Sequence, residues 1–318
     1  MIVYKKISWI RMFFTLKGSI FVSILPRFLA ATFFAIAVTL MYDFDVIDKS
    51  LTLTTLPFSL IGMALGIFLG FRNNSSYDRF WEGRKLWGRM INLTRTLTRQ
   101  ISMFVDPESA GLPHAEAEQA SLNFQHEMVY RLIGYLHAFR HHLRDETDFS
   151  DCRPFFSEEE YNAVMADPNT PIAILHQMGK RLRRAWKEDW ISEYHLPTLE
   201  NSLLIITDIQ GGCERIKKTP IPFAYTVLMH RIVGIYCFAL PFGIFKDVGD
   251  WTPIVVALVS YGFMGLDAIG NEIEEPFGKD PNDLPLSAFC NMLERECRHR
   301  LGEEELPPVL EPVDHILS

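Results

Sequence analysis

Three groups of side chains have types and spacing that chemistry can use. His126, His137, His141 and His142 lie in one stretch, and His137 and His141 share a helical face. Imidazoles four residues apart can hold a metal, yet no Glu stands between them in the metalloprotease order and no Cys sits at ligand spacing. They read as solvated surface histidines. The second group is acidic: Glu272, Glu274, Glu275, Asp280 and Asp283, on a stretch bent by Pro276 and Gly278. Such carboxylates offer oxygen ligands to a hard cation such as calcium. Lys279 within the group counts against this, and a face salt-bridged to Arg72, Arg79 or Arg84 is the alternative. The third group is His230 and Arg231 inside an apolar run, with Asp267 inside the next. Charges at such positions face a bundle interior or a watery cavity, and Arg231 either snorkels or pairs with Asp267. No GxGxxG after a strand, phosphate-binding loop or GxSxG elbow is present. The chain is therefore expected to be no enzyme, with no catalytic residue and no cofactor other than calcium.

The elements that position these groups are apolar. A bilayer crossing needs about 20 mostly apolar residues, and four windows qualify: 19–42, interrupted by Pro26 and Arg27; 56–71; 221–245, with Pro241; and 251–269. Backbone polar groups in lipid must bond internally, so all four are predicted as helices. The stretch 51–88 organises the rest. Its residues 56–71 carry no ionisable group and have Gly at 62, 66 and 70, a thin stripe where another helix can approach. Leu56, Leu60, Ala64 and Ile67 line the adjacent stripe, which in a symmetric assembly could face an axis as an apolar constriction. The same spacing also fits an ordinary lipid-facing or core helix. Ile61, Leu65 and Phe68 form the next stripe.

Charge sets the topology. Lys5, Lys6, Arg11 and Lys17 precede the first window, and Arg72, Arg79, Arg84, Lys85, Arg89, Arg95 and Arg99 follow the second. The two short connections are acidic instead, with Asp43, Asp45 and Asp48 and one lysine, then Lys246, Asp247 and Asp250. The positive-inside rule places both termini and the middle segment in the cytoplasm of a multi-pass inner-membrane protein. Residues 1–18 are then a cytosolic lead, 19–71 the first membrane pair, 72–220 a cytosolic helical domain, 221–270 the second pair and 271–318 a cytosolic tail. Helices are predicted over 77–104, 116–143, 158–165, 172–188, 199–217 and 287–301. Of 318 residues 48% are hydrophobic, and the net charge of −8 argues against a nucleic-acid partner. Five scattered cysteines without a CxxC pair fit reduced thiols. The first apolar run is too long for a cleavable signal peptide.

Three blocks, GFRNNSSYDRFWEGRKLWG (70–88), CERIKKTPIPFAYTVLMHR (213–231) and GLDAIGNEIEEPFGKDPNDLPL (265–286), resemble the bestrophin family in order and spacing. The resemblance implies an all-α homopentameric ion channel with four membrane helices per subunit and a large cytosolic helical domain. Its partners would be further copies of itself, membrane lipid and small inorganic ions. Its pore neck falls on Leu56, Leu60 and Ala64, and a second, cytosolic constriction on the region of Leu196 and Leu199. Its calcium clasp falls on Glu275, Asp280 and Asp283, with Lys279 in place of an acid. Animal members carry aromatic side chains at the positions of Leu60 and Ala64. Ring edges stabilise anions and these two residues do not. A chloride-type anion pore, a sodium or monovalent-cation pore and a non-conducting scaffold are thus the open readings. The topology predicts that Asp45→Cys and Asp250→Cys label with an impermeant thiol reagent on intact cells. Labelling of Ser121→Cys under the same conditions would reverse it.

Overall fold

The computed structural model describes residues 1–2, 8–16, 18–48, 53–313 and 315–317. Lys5, Lys6 and Lys17 of the basic lead and the start of the 51–88 stretch lie outside the described residues. The described residues form ten α-helices joined by short 3-10 turns, with isolated β-bridges in place of strands. Three stretches are long and apolar enough to cross a membrane: Phe21–Asp43, Thr55–Phe104 and Phe223–Glu272. The last is divided into two helices by the turn Gly249–Trp251, where Gly249 takes φ +54°.

The chain separates into two compact units, with boundaries after residues 81, 218 and 276. The first, apolar unit holds α1 (Trp9–Phe13), α2 (Phe21–Asp43), the opening of α3 (Thr55–Phe104), α8 (Phe223–Val248) and α9 (Thr252–Glu272). The helix α2 runs unbroken through Pro26, and α8 through Pro241. Their interior is Ile24, Ala31 and Ala35 of α2, Phe58, Leu65 and Leu69 of α3, Met229, Val233, Tyr236, Cys237, Leu240 and Ile244 of α8, and Val256 and Met264 of α9. Tyr42 and Phe245 stack at 4.3 Å in a second small cluster. Outside this interior the same helices expose Phe33, Leu56, Met63, Ile235 and Leu258, each more than 60% accessible. A soluble unit would not leave so much large apolar surface open, and lipid is the solvent that accepts it.

The second unit holds the rest of α3, α4 (His114–Leu143), α5 (Glu158–Met165), α6 (Thr170–Lys187), α7 (Leu196–Lys218) and α10 (Leu286–Arg300). The helix expected over 77–104 is the second part of the continuous α3, and the other predicted helices of this unit are present with ends shifted by a few residues. Side chains fix several starts: Ser157 accepts from the Glu160 N–H and Asn169 from the Ile172 N–H. The centre is α4, buried nearly all round from Met128 to His141, with α6, α7 and α10 packed on it. Trp87 of α3 is fully buried and stacks on Phe139 at 5.5 Å. The five cysteines are free and buried.

Close approach within the apolar unit depends on Gly243. A Cβ there would lie 2.2–2.7 Å from three ring atoms of Phe58, including the inflexible Cγ. Gly243→Ala is expected to cost about 1–3 kcal/mol through overpacking. Adding Phe58→Leu should recover most of the lost thermal stability. Strictly additive losses in that double variant would show the contact does not set the packing.

Candidate functional site

The outward face of α3 and the charged group behind it are set by one helical phase. Phe58, Leu65, Leu69, Arg72 and Ser76 recur at core spacing and all are buried. Leu56, Leu60 and Ile67 therefore point the other way, 69%, 59% and 52% exposed, with Ala64 exposed among them. The neighbouring stripe is broken at Leu65, which is 2% exposed, so Ile61, Leu65 and Phe68 do not form a continuous outward row. Of the small-residue stripe, only Gly62 meets another helix: a Cβ there would lie 2.6 Å from the Tyr236 hydroxyl, whereas Gly66 and Gly70 open onto free space.

Behind this face Arg72 is buried with Asp267. Its Nη1 donates to Asp267 Oδ1 at 2.7 Å and to the Asp267 carbonyl at 3.2 Å, and its Nη2 donates to Asn271. Glu274 stands 4.0 Å away. His230 Nδ1 lies 3.0 Å from Asp267 Oδ2, and Arg79 Nε donates to the Glu274 carbonyl at 3.1 Å. Asp267 thus pairs with Arg72 and His230, and the expected alternative with Arg231 is not formed. Consecutive helical residues stand about 100° apart, and α8 turns His230 toward α9 and Arg231 outward. Arg84, offered as a partner of the acidic group, instead lies over the Phe289 ring at 5.3 Å. Sequence reasoning did not single out Arg72 as the partner of Asp267. The signal was there, since residue 72 continues the phase of 58, 65 and 69.

The acidic group is divided. Glu275 is exposed and belongs to the apolar unit, while Asp280 and Asp283 belong to the second. There the Asp280 N–H donates to Asp283 Oδ2 at 2.8 Å, and Gly278 leaves room for that carboxylate. Both acids line a cavity of about 720 Å³ that Arg144, Glu146 and Lys279 also line, and Lys279 Nζ pairs with Glu146 at 2.5 Å. Calcium takes six to eight oxygens. Asp280 and Asp283 share the cavity with Asp145, Glu146 and Asp148, and these acids face Arg140, Arg144 and Lys279, while Glu275 does not line it. Of the two residues expected at a cytosolic constriction, the structure corrects Leu199. Leu199 is fully buried in its own unit, because α7 turns it into the core with Leu203 and Ile206, so it cannot line a pore; Leu196 stays partly exposed.

For His137 and His141 the reading as surface histidines is corrected, while His126 is exposed as expected. His137 and His141 are 8% exposed, since α4 is the central helix of its unit. His137 Nε2 meets Glu294 at 3.1 Å and its Nδ1 faces Asp151 at 3.6 Å. His141 Nε2 meets Asp151 at 2.6 Å and its Nδ1 meets Glu146. His142 Nε2 meets Glu214 at 3.1 Å, and His126 stacks on Tyr130. His141, Asp151 and Cys152 bring donor atoms within 4.8 Å of one another. The Arg140 guanidinium is bonded to Asp151 and lies 2.7 Å from His141 Nε2, which ties these groups into an ion-pair network.

Lipid-length helices with an open apolar surface define a helical membrane protein. A family model described as bacterial/fungal bestrophin protein matches residues 1–299. The chain belongs to that family. It is 38% identical over 306 residues to the voltage-dependent anion channel-forming protein RSc3414 of Ralstonia nicotianae, covering 96% of each. It is 35% identical over 315 residues to the similarly described YneE of Escherichia coli K12, covering 99% of each. Among solved structures, a bacterial bestrophin homolog from Klebsiella pneumoniae superposes with a TM-score of 0.79 at 33% identity, over 89% of this chain and 100% of that one.

The buried network makes stability depend on pH. Burial alone would lower the His137 pKa, but hydrogen bonds to Asp151 and Glu294 outweigh it and hold the imidazole above its ordinary value. Burial would raise the three carboxyls, yet bonds from His137 and His141 and the charge of Arg140 hold Asp151 well below its ordinary value. Lys279 and His141 lower Glu146, and His137 and Arg298 lower Glu294. The His137 contribution is complete below about pH 6.5 and is lost as pH rises through its folded pKa. The carboxylate contributions are present above about pH 4 and are lost as pH falls through their folded values. Thermal stability of the purified protein should therefore peak at mildly acidic pH. His137→Gln should flatten the alkaline limb; an unchanged limb would assign it to another group.

Proposed function

We propose that five copies of this chain surround an axis, turn the outward face of α3 toward it and form a passive ion channel in the cell inner membrane. The observation that carries this reading is the exposed row Leu56, Leu60, Ala64 and Ile67, opposite the buried row of the same helix. A row of leucines with no partner in its own subunit is accounted for when symmetry brings the other copies to it. Four crossings per copy, α2, the opening of α3, α8 and α9, leave both termini and the helical domain in the cytoplasm, as the Lys and Arg distribution favours. Relatives described as anion channel-forming support an anion as the conducted ion. Ions would shed part of their hydration at the apolar neck and regain it in the vestibules.

A monovalent-cation pore is the second reading. It is favoured by the lack of ring edges at Leu60 and Ala64, which leaves the neck without a group that stabilises an anion. A scaffold without a pore would give no unitary currents in planar bilayers. Reversal potentials in asymmetric salt separate the two conducting readings.

Light scattering of detergent-solubilised protein, corrected for bound detergent, should give a mass near five subunits. A monomer or dimer that conducts would remove the axial pore. Leu60→Ala should raise unitary conductance or open probability by lowering the dehydration barrier, and Ala64→Phe should shift selectivity toward anions. Both positions are exposed in the subunit, so neither change should much affect folding. Unchanged conductance and gating in a normally assembled Leu60→Ala channel would sink the neck assignment.

A further inference from the structure

The apolar unit carries positive charge that its own acids do not answer. Asp267 is already engaged by Arg72 and His230. The Arg27 guanidinium of α2 has one polar neighbour among the described residues, His230 Nδ1 at 3.4 Å. That nitrogen is shared with Asp267 Oδ2 at 3.0 Å, and its contact with Arg27 is a long one, so most of the guanidinium's donors are left open. Arg231 makes no hydrogen bond or ion pair among the described residues. Both arginines are exposed.

The two helices bring these charges to one level. Arg27 meets His230, and further along Phe34 meets Phe238 at 5.4 Å. The offset is 203 residues at the first contact and 204 at the second, so α2 and α8 run parallel and Arg231 stands level with Arg27. Arg27 is the seventh residue of α2 and His230 the eighth of α8. At 1.5 Å per residue both lie about 10 Å in from their helix starts, which is interfacial depth. Leu228 and Ile235, 51% and 69% exposed, share the stripe of Arg231 on α8.

We infer that Arg27, His230 and Arg231 form a binding site for the phosphodiester headgroup of an anionic phospholipid. Guanidinium donors match phosphate oxygens in pairs. The exposed apolar side chains flanking Arg231 suit an acyl chain, which a soluble anion lacks and a lipid brings. The site also has a route inward. Contacts run from Arg27 to His230, then Asp267, then Arg72 of α3, so headgroup occupancy bears on the helix that carries the outward leucine row. The inference needs the chain to sit in a bilayer and does not need it to conduct.

The test is native mass spectrometry of the full-length protein in equal phosphatidylglycerol and phosphatidylcholine, with no current recorded, so its failure leaves the channel reading untouched. Wild type should retain phosphatidylglycerol preferentially. Arg27→Gln with Arg231→Gln should lose that preference by about 25-fold, near fivefold for each charge, with phosphatidylcholine retention unchanged. Arg27→Lys with Arg231→Lys should keep most of it. If the double glutamine variant fails to assemble, Arg231→Gln alone, which breaks no contact in the chain, should lose about fivefold. No preference in wild type, or one unmoved by these changes, overturns the site. Displacement of phosphatidylglycerol by inorganic phosphate would make it a soluble-anion site. Efficient crosslinking of Arg231→Cys between copies in membranes would give the surface to a second copy instead.

Discussion

The phase of α3 depends on one buried ion pair. Arg72 has no side-chain exposure, in a unit whose surroundings are otherwise hydrocarbon. Leaving a guanidinium unpaired there would cost several kcal/mol. The cost is met only where Asp267, its carbonyl and Asn271 converge on it. Rotation of α3 about its axis would withdraw Arg72 from all three. The helix is therefore pinned with Leu69, Leu65 and Phe58 inward, and its outward row follows from that pin.

The same pin shows why some of the chain was legible and some was not. Apolar length, Pro and Gly breaks and Asn or Ser caps announce where helices begin and end, so the apolar stretches and most helices of the second unit were readable. Which face of a helix is buried depends on neighbours distant in sequence. Leu199 and Leu196 look equivalent by composition, yet only Leu199 enters the core of its unit. His137 and His141 have the polarity of surface residues. The run of Met128, Val129, Leu132, Ile133, Tyr135, Leu136 and Phe139 covers more than one helix face and marks α4 as central, and that outweighs the polarity of its histidines. His230 and Arg231 are adjacent and similar in charge, and only helical phase assigns one to Asp267 and the other to the surface.

The polar interior of the second unit has a definite architecture. Tyr135 donates to Gln210 of α7 at 3.1 Å, His137 reaches Glu294 of α10, and Asp151 ties the 150–155 turn to α4. Lys279 joins through Glu146, which draws in the segment that follows Phe277. The first three bonds each join α4 to a different element, and Lys279 reaches α4 only through Glu146 and His141. Losing one frees one element while the apolar core around Trp87 and Phe139 persists. Such networks specify an arrangement more than they stabilise it.

Charge in the apolar unit is sorted by helix, and this bears on what a pore along α3 could discriminate. Arg72 is neutralised inward against α9, while Arg27 and Arg231 stand on α2 and α8. From Leu56 to Phe71 the α3 helix itself has no ionisable group. An apolar ring opposes ions of either sign through lost hydration, and without aromatic edges it offers neither sign a compensating contact. A neck built from Leu56, Leu60 and Ala64 is then a hydration barrier without a charge preference of its own. Preference between anions and cations has to arise where ions are still hydrated and charged side chains can act on them across water. Such a neck would govern how many ions pass and would leave which ions pass to the vestibules.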